Sequence, residues 1–207
     1  MDRATTKASR RLSWLLRHGA SEKGLNMDPA GWVNVGDVLA FLRTSENELE
    51  RVVNTNSKRR FQLAPGRIRA CQGHSIKNLA VTREALEASW CVYQDSRSIW
   101  HGTVAAAIAP IAHEGILPGS RTHVHCAPFP DSLVGKRDAV EVMLELSPQR
   151  ISESGLTIFV APNGVILVRH VPSDAIVSLL ALSNQAKQQE ATLRAYLGLD
   201  SRHVGET

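Results

Sequence analysis

The sequence predicts an α+β protein with two regions, and three observations support this prediction. Residues 1–90 contain three helix-like segments followed by a hairpin-like segment, an order typical of a winged-helix unit. Residues 91–207 consist of short β-rich pieces separated by Gly and Pro, which favour an antiparallel sheet. Residues 1–90 contain 15 Lys and Arg and 9 Asp and Glu, whereas residues 91–207 contain 9 Lys and Arg and 11 Asp and Glu. The excess of basic charge therefore lies in the first region.

Two amphipathic segments predict the first two helices. Apolar residues recur at helical spacing over residues 5–17, and Gly19 follows as a terminator. The segment "NMDPAGWVNVGDVLAFLR" begins with a Pro/Gly turn and a short apolar stretch, and a second helix opens at Gly36 and Asp37. The inner face of this helix is apolar: Val38, Leu39, Phe41 and Leu42.

The third helix and the hairpin have sharper local signals. Ser45 and Glu48 form a Ser-x-x-Glu capping box, which predicts that a helix begins within "SENELERVVNT". Two short strand-like pieces then flank Pro65 and Gly66 in "RRFQLAPGRIRACQG", and this pattern predicts a basic hairpin.

The second region predicts strands at "SIWHGTV", "RTHVHCAP", "AVEVMLELS", "LTIFVAP" and "GVILVRHVP". A small helix is expected in "AAAIAPIAHEGIL", ending at Gly115. From about Ser183 the chain is polar and rich in Gln, and we expect a helix that continues into a loose tail. We place the boundary between the two regions at residues 88–95.

Composition limits the class of protein. A hydrophobic fraction of 43% over 207 residues is ordinary for a globular chain. No apolar run approaches the roughly 20 residues that cross a bilayer, so we expect no membrane association and no secretion signal. Cys71, Cys91 and Cys126 are odd in number and widely spaced, which fits neither a disulfide framework nor paired zinc ligands. We therefore expect a reducing, cytoplasmic location and no bound metal.

The charge asymmetry indicates a polyanionic partner held mainly by the first region, which carries a formal charge of +6 against −2 for the second. A basic face that only meets solvent would give the same charge, and charge alone leaves this alternative open.

Basic and polar side chains cluster at two places of the first region. Arg17 and His18 close the first predicted helix, at an end where backbone carbonyls concentrate negative potential and favour a charged imidazole. Arg69 lies in the predicted hairpin, and arginine suits bidentate phosphate contacts. The turn that follows can direct backbone amides at an anion, and it consists of Gln72, Gly73, His74 and Ser75. The pattern favours a phosphate cradle over a merely polar turn.

The second region carries a different pattern. His101, Gly102 and Thr103 in "WHGT" end a predicted strand, where glycine lets a ligand approach the backbone and the two side chains offer hydrogen bonds. The histidines of "HVH" alternate across a strand, which disfavours shared metal binding. No GxGxxG, GxxxxGK[ST] or GxSxG pattern occurs, which argues against a Rossmann site, a P-loop and a serine hydrolase. Arg and His without neighbouring carboxylates indicate phosphate handling.

Seven motifs follow one another along residues 6–180: "LLRHGA", "GWVNVGDVLAFL", "IRACQGHS", "WHGT", "RTHVHCAP", "GKRDAVEVMLEL" and "NGVIL". In this order they resemble the tRNA/RNA 2'-phosphotransferase family, NAD-dependent enzymes that remove an internal 2'-phosphate from RNA. The resemblance implies a winged-helix-like lobe that binds RNA over residues 1–90. It also implies an ADP-ribosyltransferase-like, NAD-binding antiparallel β lobe over residues 91–207, with a polar C-terminal tail from about residue 183.

The resemblance implies roles for individual residues. The catalytic Arg-His-Arg-Arg set of the family falls on Arg17, His18, Arg69 and Arg137. Binding of the RNA 2'-phosphate falls on the turn Gln72, Gly73, His74 and Ser75. NAD binding falls on seven residues of the second region: His101, Gly102, Thr103, Gly115, Leu117, Arg121 and His125.

The implied reaction consumes NAD as a co-substrate and uses no metal. A 2'-phosphate oxygen of the RNA attacks the anomeric carbon of the nicotinamide ribose, and nicotinamide leaves. The ribose 2''-hydroxyl then attacks the phosphorus of this 2'-phospho-ADP-ribosylated RNA. The products are 2'-hydroxyl RNA and ADP-ribose 1'',2''-cyclic phosphate. The implied substrate is a tRNA-like RNA from tRNA splicing and processing, and we expect a cytoplasmic, monomeric transferase.

The chain departs from the family pattern at three places. Cys71 stands where the family usually has Asn, Cys126 and Ala127 stand where Leu-Ser or Leu-Ala is common, and the usual proline after "LRH" is absent. Two alternatives stay open. One is a nucleic-acid-binding winged helix whose second lobe serves only for dimerisation. The other is an enzyme that ADP-ribosylates a terminal phosphate of RNA or DNA and stops there.

Overall fold

The computed structural model describes residues 3–77, 80–132, 135 and 140–199, and the chain divides into two compact units. Unit 1 consists of Met1–Cys91 together with two later pieces, Gly119–Thr122 and Ala161–Asn163. Unit 2 consists of Val92–Pro118, His123–Val160 and Gly164–Thr207. Helices and antiparallel strands occur together, so the predicted α+β class is confirmed.

Unit 1 combines helices with a small antiparallel sheet. Its α-helices are α1 (Arg3–Trp14), α2 (Val35–Leu42), α3 (Glu46–Asn54) and α4 (Arg83–Glu87). Its strands are β1 (Val33–Asn34), β2 (Phe61–Ala64) and β3 (Arg67–Ala70). The strand order is β1-β3-β2, and both pairs are antiparallel.

The three predicted helices and the hairpin are confirmed, with two local differences. Helix α1 does not end as an ordinary α-helix but passes into a π-helical turn, Leu15–Gly19. Helix α2 begins one residue earlier than expected, because the Asn34 side chain caps it by accepting a hydrogen bond from the Gly36 N–H at 2.7 Å. Both halves of the predicted capping box of α3 are present.

The core of unit 1 explains why these segments fold together. Leu12, Leu15 and Leu16 are fully buried at the i, i+3 and i+4 positions of one helical face. They belong to an apolar cluster with residues from the other elements, including Val33, Val38, Leu49 and Ile68. Burial of one such side chain contributes about 1.5–3 kcal/mol. The core therefore fixes the end of α1, from which Arg17 and His18 project.

Unit 2 is richer in strands. The strands after residue 90 are β4 (Cys91–Val92), β5 (Ile99–Thr103), β6 (Val124–Cys126), β7 (Val142–Leu146), β8 (Phe159–Val160), β9 (Ile166–Val168) and β10 (Ile176–Ala181). Its helices are α5 (Ile108–Glu114), α6 (Pro148–Glu153), α7 (Asn184–Gln188) and α8 (Glu190–Tyr196). The strand orders are β10-β7-β5 in one sheet and β4-β8-β9-β6 in another.

The two sheets are joined by one pair of backbone hydrogen bonds. The Trp100 N–H donates to the Ala127 carbonyl at 2.9 Å, and the Ala127 N–H donates to the Trp100 carbonyl at 2.7 Å. Apolar residues of both sheets, among them Ile99, Val124 and Leu144, lie in one buried cluster. The position of β5 relative to β6 is therefore fixed by backbone bonds and by packing.

All five predicted strands and the helix ending at Gly115 are present, but β4, α6 and β10 were not predicted. Helix α6 has a clear start, because the Ser147 side chain caps it and Pro148 is its first residue. The polar C-terminal stretch forms two helices, α7 and α8, rather than one. Within the described part of the chain, no helix combines the length and the apolar character needed to cross a membrane.

Candidate functional site

The π-helical turn presents Arg17 and His18 while its other residues are buried. Leu15 and Leu16 point into the core of unit 1. Gly19 is required sterically, because a Cβ atom there would overlap the ring of Trp14. A π-helical turn within a helix is often found at functional sites, since the extra residue redirects side chains.

The turn after β3 lies directly against this helix end. The Ser75 N–H donates to the Arg17 carbonyl at 3.0 Å, and His18 Nδ1 lies 2.6 Å from Ser75 Oγ. Gly73 has φ +90°, and a Cβ atom there would lie 3.2 Å from Arg17 Cζ and Nε. The structure thus brings together the two motifs that the sequence analysis had proposed separately for phosphate.

A later segment of the chain completes this site. Arg121 forms an isolated antiparallel bridge with Ser75, and the Thr122 N–H donates to the His74 carbonyl at 3.1 Å. Arg121 was expected among the NAD-binding residues of the second lobe. The structure places it in unit 1 beside the turn of residues 72–75, because residues 119–122 pair with residues 74–76. Its contact with NAD stays a prediction.

Arg17 is the side chain that most clearly lacks a partner. Its Nε and Nη2 atoms are shielded from solvent and form no hydrogen bond within the described residues. Burial, with the neighbouring charges of Arg60 and Arg121, lowers the pKa of Arg17 from its ordinary value to about 10, so it stays protonated at neutral pH. A buried cation with free donors is costly unless an anion compensates it. This arrangement makes a candidate anion site in unit 1, called the anion site below.

The expected charge on His18 is wrong for the ligand-free protein. The position at a helix C-terminus favours an imidazolium, but partial burial and the charges of Arg17 and Arg121 lower the pKa of His18 below its ordinary value. Burial first, and then the two nearby arginines, oppose the partial charge of the helix end. A bound dianion would reverse this effect, because it would favour the protonated imidazole.

The structure places Arg69 away from the contacts that form the anion site. Its Nε donates to Gln62 Oε1 at 2.9 Å, and its Nη1 donates to Ser89 Oγ at 2.8 Å and to the Ala30 carbonyl at 3.2 Å. The guanidinium also lies 4.6 Å from the centroid of the Trp32 ring, and the residue is only 3% exposed. These bonds occupy Nε and Nη1 of Arg69, and none of them involves Nη2.

The rest of the turn is largely buried. Gln72 and His74 are buried, and the His74 ring packs over Gly31, where a Cβ atom would approach its Nε2 to 2.8 Å. The thiol of Cys71 donates to the Arg59 carbonyl at 3.4 Å. Burial raises the pKa of Cys71 to about 11, so this thiol keeps its proton at neutral pH.

In unit 2, β5 carries the three residues predicted to bind NAD. His101 Nδ1 lies 2.9 Å from the His125 carbonyl, and both histidines are half-buried. The glycine at 102 has a steric reason, because a Cβ atom there would lie 2.8 Å from Val140 Cγ2 and 3.2 Å from Met143 Sδ. The side-chain direction of Gly102 is therefore filled by packing, and not open for a ligand.

The backbone N–H and C=O groups of Gly102 point in a different direction from the one that a side chain would take. In an antiparallel pair, the N–H and C=O groups of successive residues alternate between the two sides of a strand. Trp100 bonds to Ala127, on the side of β5 opposite to β7. Gly102 lies two residues further along and therefore presents its N–H and C=O on that same side. These two groups of Gly102 therefore do not point towards β7. Their contact with NAD stays a prediction.

Two other predicted NAD-binding residues have distinct surroundings. Gly115 ends α5 with φ +74° and packs against the Val171 carbonyl, which leaves no room for a side chain. Leu117 is 56% exposed, which is unusual for a large apolar side chain. Arg137 lies outside the described residues. Within the residues that are described, no group of three or more His, Cys, Asp or Glu is arranged to hold a metal ion.

Sequence reasoning missed Arg60 as a member of the anion site. Its signal was present in the basic run "SKRRF", but nothing local shows which of these cations approaches Arg17. The same holds for Arg121, whose position depends on a pairing between segments about 45 residues apart in the chain.

The protein has an α+β fold. Its candidate anion site is buried, carries positive charge, and lies between a π-helical turn and a glycine turn. A sequence model of the family described as "RNA 2'-phosphotransferase, Tpt1 / KptA family" matches residues 3–170. The chain belongs to this family.

Three relatives show how far the similarity extends. A protein of Burkholderia lata is 38% identical over 178 residues, which cover 82% of this chain and 88% of the relative. One from Pseudomonas savastanoi pv. phaseolicola is 37% identical and one from Streptomyces coelicolor 36%, and each alignment covers 92% of the relative and 83% or 82% of this chain. All three bear the name "Probable RNA 2'-phosphotransferase".

Proposed function

We propose that this protein removes an internal 2'-phosphate from RNA and transfers it to the ADP-ribose part of NAD. The observation that carries the proposal is the buried guanidinium of Arg17, whose Nε and Nη2 are unpaired within the described residues and whose nearest charges are cationic. Family membership supplies the chemistry for which such an anion site is suited.

A phosphate monoester fits the anion site better than a carboxylate does. Its dianion can accept hydrogen bonds from several donors at once, and Arg17, Arg121 and His18 lie close enough to influence one another's charge. Arg17 has two shielded donors on one guanidinium, which matches the geometry of two phosphate oxygens. Among the described residues, no carboxylate contributes to the pKa of Arg17 or His18.

NAD fits the features of β5 in unit 2. A carboxamide carries one acceptor and one donor group side by side, which complements the N–H and C=O of Gly102. His101, held at the His125 carbonyl, and the exposed Leu117 supply polar and apolar contacts of the kind that a dinucleotide uses. Bound NAD supplies an electrophilic anomeric carbon with nicotinamide as a neutral leaving group.

The proposed reaction has two steps. A 2'-phosphate oxygen displaces nicotinamide to give 2'-phospho-ADP-ribosylated RNA, and the ribose 2''-hydroxyl then attacks phosphorus and expels the RNA 2'-oxygen. The first step mainly requires that the anion is positioned, which Arg17 and the Gly73 turn can do. The second step gathers negative charge at phosphorus, where Arg17 and a protonated His18 stabilise it. The products are ADP-ribose 1'',2''-cyclic phosphate and 2'-hydroxyl RNA.

His18 is suited to both charge states. In the ligand-free protein, burial and the two arginines keep its pKa low. The phosphate dianion raises this pKa, so the bound complex carries an imidazolium that can protonate the leaving 2'-oxygen. Ser75 holds Nδ1 at 2.6 Å, and Nε2 forms no hydrogen bond within the described residues, so this nitrogen is the one that can face the phosphate.

The wider expectations are part of the same proposal. The order α1, β1, α2, α3, β2, β3 supports a winged-helix comparison for unit 1, and the antiparallel sheets of unit 2 support an ADP-ribosyltransferase comparison. A tRNA-like substrate, a role in tRNA splicing, a monomeric state and a cytoplasmic location remain predictions from the resemblance.

Incubation of the protein with NAD and two oligonucleotides tests the proposal. One oligonucleotide carries an internal 2'-phosphate and the other a terminal phosphate. We expect free nicotinamide and the cyclic phosphate with the first, and neither product when NAD is omitted. Stable ADP-ribosylation of the terminal phosphate alone would favour the alternative acceptor. Binding of both oligonucleotides without any NAD consumption would favour the nucleic-acid-binding alternative.

A further inference from the structure

We propose that the loop Asn56–Arg60, here called the basic loop, is a preformed contact surface for the RNA phosphodiester next to the 2'-phosphate. The sequence "NSKRR" places three cations in succession. The inference rests on the proposed function, since it concerns the strand that carries the 2'-phosphate. It adds a second contact region and a residue, Cys71, that positions it.

The first anchor of the basic loop is the buried side chain of Asn56. Its Nδ2 donates to Ser9 Oγ of α1 at 2.8 Å, and its Oδ1 accepts from the Arg60 N–H at 3.1 Å. The Arg59 N–H also donates to the Asn56 carbonyl at 2.8 Å. One asparagine therefore ties both ends of the loop to the core of unit 1.

The second anchor is Cys71 at the end of the hairpin. Its thiol donates to the Arg59 carbonyl at 3.4 Å, and its N–H donates to the Arg60 carbonyl at 2.8 Å. Because the thiol keeps its proton at neutral pH, it remains a donor under ordinary conditions. Cys71 thus donates hydrogen bonds to the backbone carbonyls of both Arg59 and Arg60, the last two cations of the loop.

A third anchor and a strained residue show that the loop is preorganised. Asn163 Nδ2 donates to the Lys58 carbonyl at 3.1 Å. Arg59 has φ +44°, a conformation that costs an ordinary side chain about 1 kcal/mol or more. Arg43 is the other described non-glycine residue with a positive φ. The anchors hold Arg59 in this conformation before any ligand binds, which lowers the entropy lost on binding.

The loop extends the positive charge of the anion site outward. Arg60 lies close enough to Arg17 to lower its pKa, whereas Arg59 is exposed and does not contribute to that pKa. Neither Arg59 nor Arg60 forms an ion pair with a described residue. A single phosphate bound at Arg17 would leave the exposed Arg59 without an anion, whereas an RNA strand carries a further phosphate at each nucleotide. A strand held by its 2'-phosphate is therefore the ligand that this row of cations fits.

Binding titrations without NAD test this inference with two ligands. One is a nucleoside 2'-monophosphate, which has no neighbouring phosphodiester, and the other is a trinucleotide with an internal 2'-phosphate. Arg59→Asn removes the cation and keeps a residue type that tolerates positive φ. We expect it to weaken trinucleotide binding about fivefold to tenfold, and to reduce the slope of log affinity against log salt by about 0.7. Affinity for the nucleoside monophosphate should change less than about twofold.

Arg43→Asn is a matched control, because Arg43 is also an exposed arginine with positive φ, at the end of α2. It should leave both affinities unchanged. Cys71→Ala should reproduce the selective loss of trinucleotide affinity, and Cys71→Ser, which keeps a donor, should retain most of that affinity. An unchanged trinucleotide affinity in Arg59→Asn, or an equal loss in Arg43→Asn, would overturn the inference.

The same samples separate this inference from the proposed function. Wild-type protein with NAD should release the 2'-phosphate from the trinucleotide. A wild type that binds the trinucleotide but leaves its 2'-phosphate in place would overturn the proposed function while the binding comparison still stands. Normal release together with identical binding by Arg59→Asn would overturn only the role of the basic loop.

Discussion

At the scale of single residues, Arg17 and Arg69 show how differently two arginines of one motif set can be used. Both have a pKa lowered mainly by burial. Arg69 donates hydrogen bonds from Nε and Nη1 to Gln62, Ser89 and Ala30, whereas Nε and Nη2 of Arg17 form no hydrogen bond within the described residues. Arg69 therefore stabilises the ligand-free fold, and Arg17 is kept at an energetic cost that a bound anion would offset.

This contrast gives a prediction with opposite outcomes for stability and binding. Arg69→Gln should destabilise the protein by roughly 2–4 kcal/mol, because it breaks hydrogen bonds to buried groups and removes the contact with Trp32. Arg17→Gln should leave the melting temperature unchanged or raise it, because it removes a desolvated cation. It should also weaken binding of a nucleoside 2'-phosphate at least tenfold.

Thermal unfolding and ligand titration of the two variants, side by side, provide the measurement. A full loss of ligand affinity in a folded Arg69→Gln protein would show that Arg69 reaches the phosphate after all, as the sequence analysis expected. A strongly destabilised Arg17→Gln protein would mean that Arg17 is structural.

At the scale of elements, the π-helical turn at the end of α1 depends on one pair of residues. Gly19 has no room for a Cβ atom because the Trp14 ring lies against it. Trp14 is 40% exposed, so the ring is a cover over the turn and not part of the core. The positions of Arg17 and His18 follow from how this turn packs.

We predict that Gly19→Ala destabilises the protein by about 1–3 kcal/mol through this overlap. It should also weaken phosphate binding, because relief of the overlap displaces the turn that carries Arg17. Adding Trp14→Ser should remove the overlap and recover most of the lost stability. A double-mutant cycle in urea measures the coupling, which should exceed about 1 kcal/mol. Additive effects of the two substitutions would contradict the packing argument.

The same element shows what the sequence could and could not predict. The spacing of Leu12, Leu15 and Leu16 was enough to place α1, and the Ser45 capping box was enough to place α3, because both signals are local. The π-helical turn was missed because its cause is a contact between Trp14 and Gly19 rather than a periodicity. Strand β10 was missed because its sequence "IVSLLA" lacks the regular apolar–polar alternation of a half-buried strand.

The site follows the same division between local and distant information. The motifs containing Arg17, His18 and the Gly73 turn could be found from residue types, and their proximity in unit 1 follows from pairing with the end of α1. The membership of Arg60 and Arg121 required long-range pairings that no local pattern encodes. The environment of Arg69 could not be anticipated, because its partners come from separate parts of unit 1.

At the scale of the whole molecule, the proposed chemistry divides between two units with different charge. The excess of Lys and Arg lies in residues 1–90, whereas residues 91–207 carry slightly more Asp and Glu. A polyanionic RNA should therefore gain most of its electrostatic binding energy from unit 1. In the proposed function, NAD carries only a pyrophosphate, and its carboxamide is expected to contact the backbone of β5 in unit 2.

This division predicts that binding of the two substrates can be impaired separately. His101→Ala removes the side chain that lies 2.9 Å from the His125 carbonyl at β5. We expect it to weaken NAD binding about tenfold and to change the affinity for a 2'-phosphorylated oligonucleotide by less than about twofold. His113→Ala is the matched control, because His113 is an exposed histidine at the end of α5 in the same unit. It should alter neither affinity. Calorimetric titration with each ligand alone decides the matter: a His101→Ala protein that lost RNA affinity and kept its NAD affinity would reverse the assignment of the two substrates to the two units.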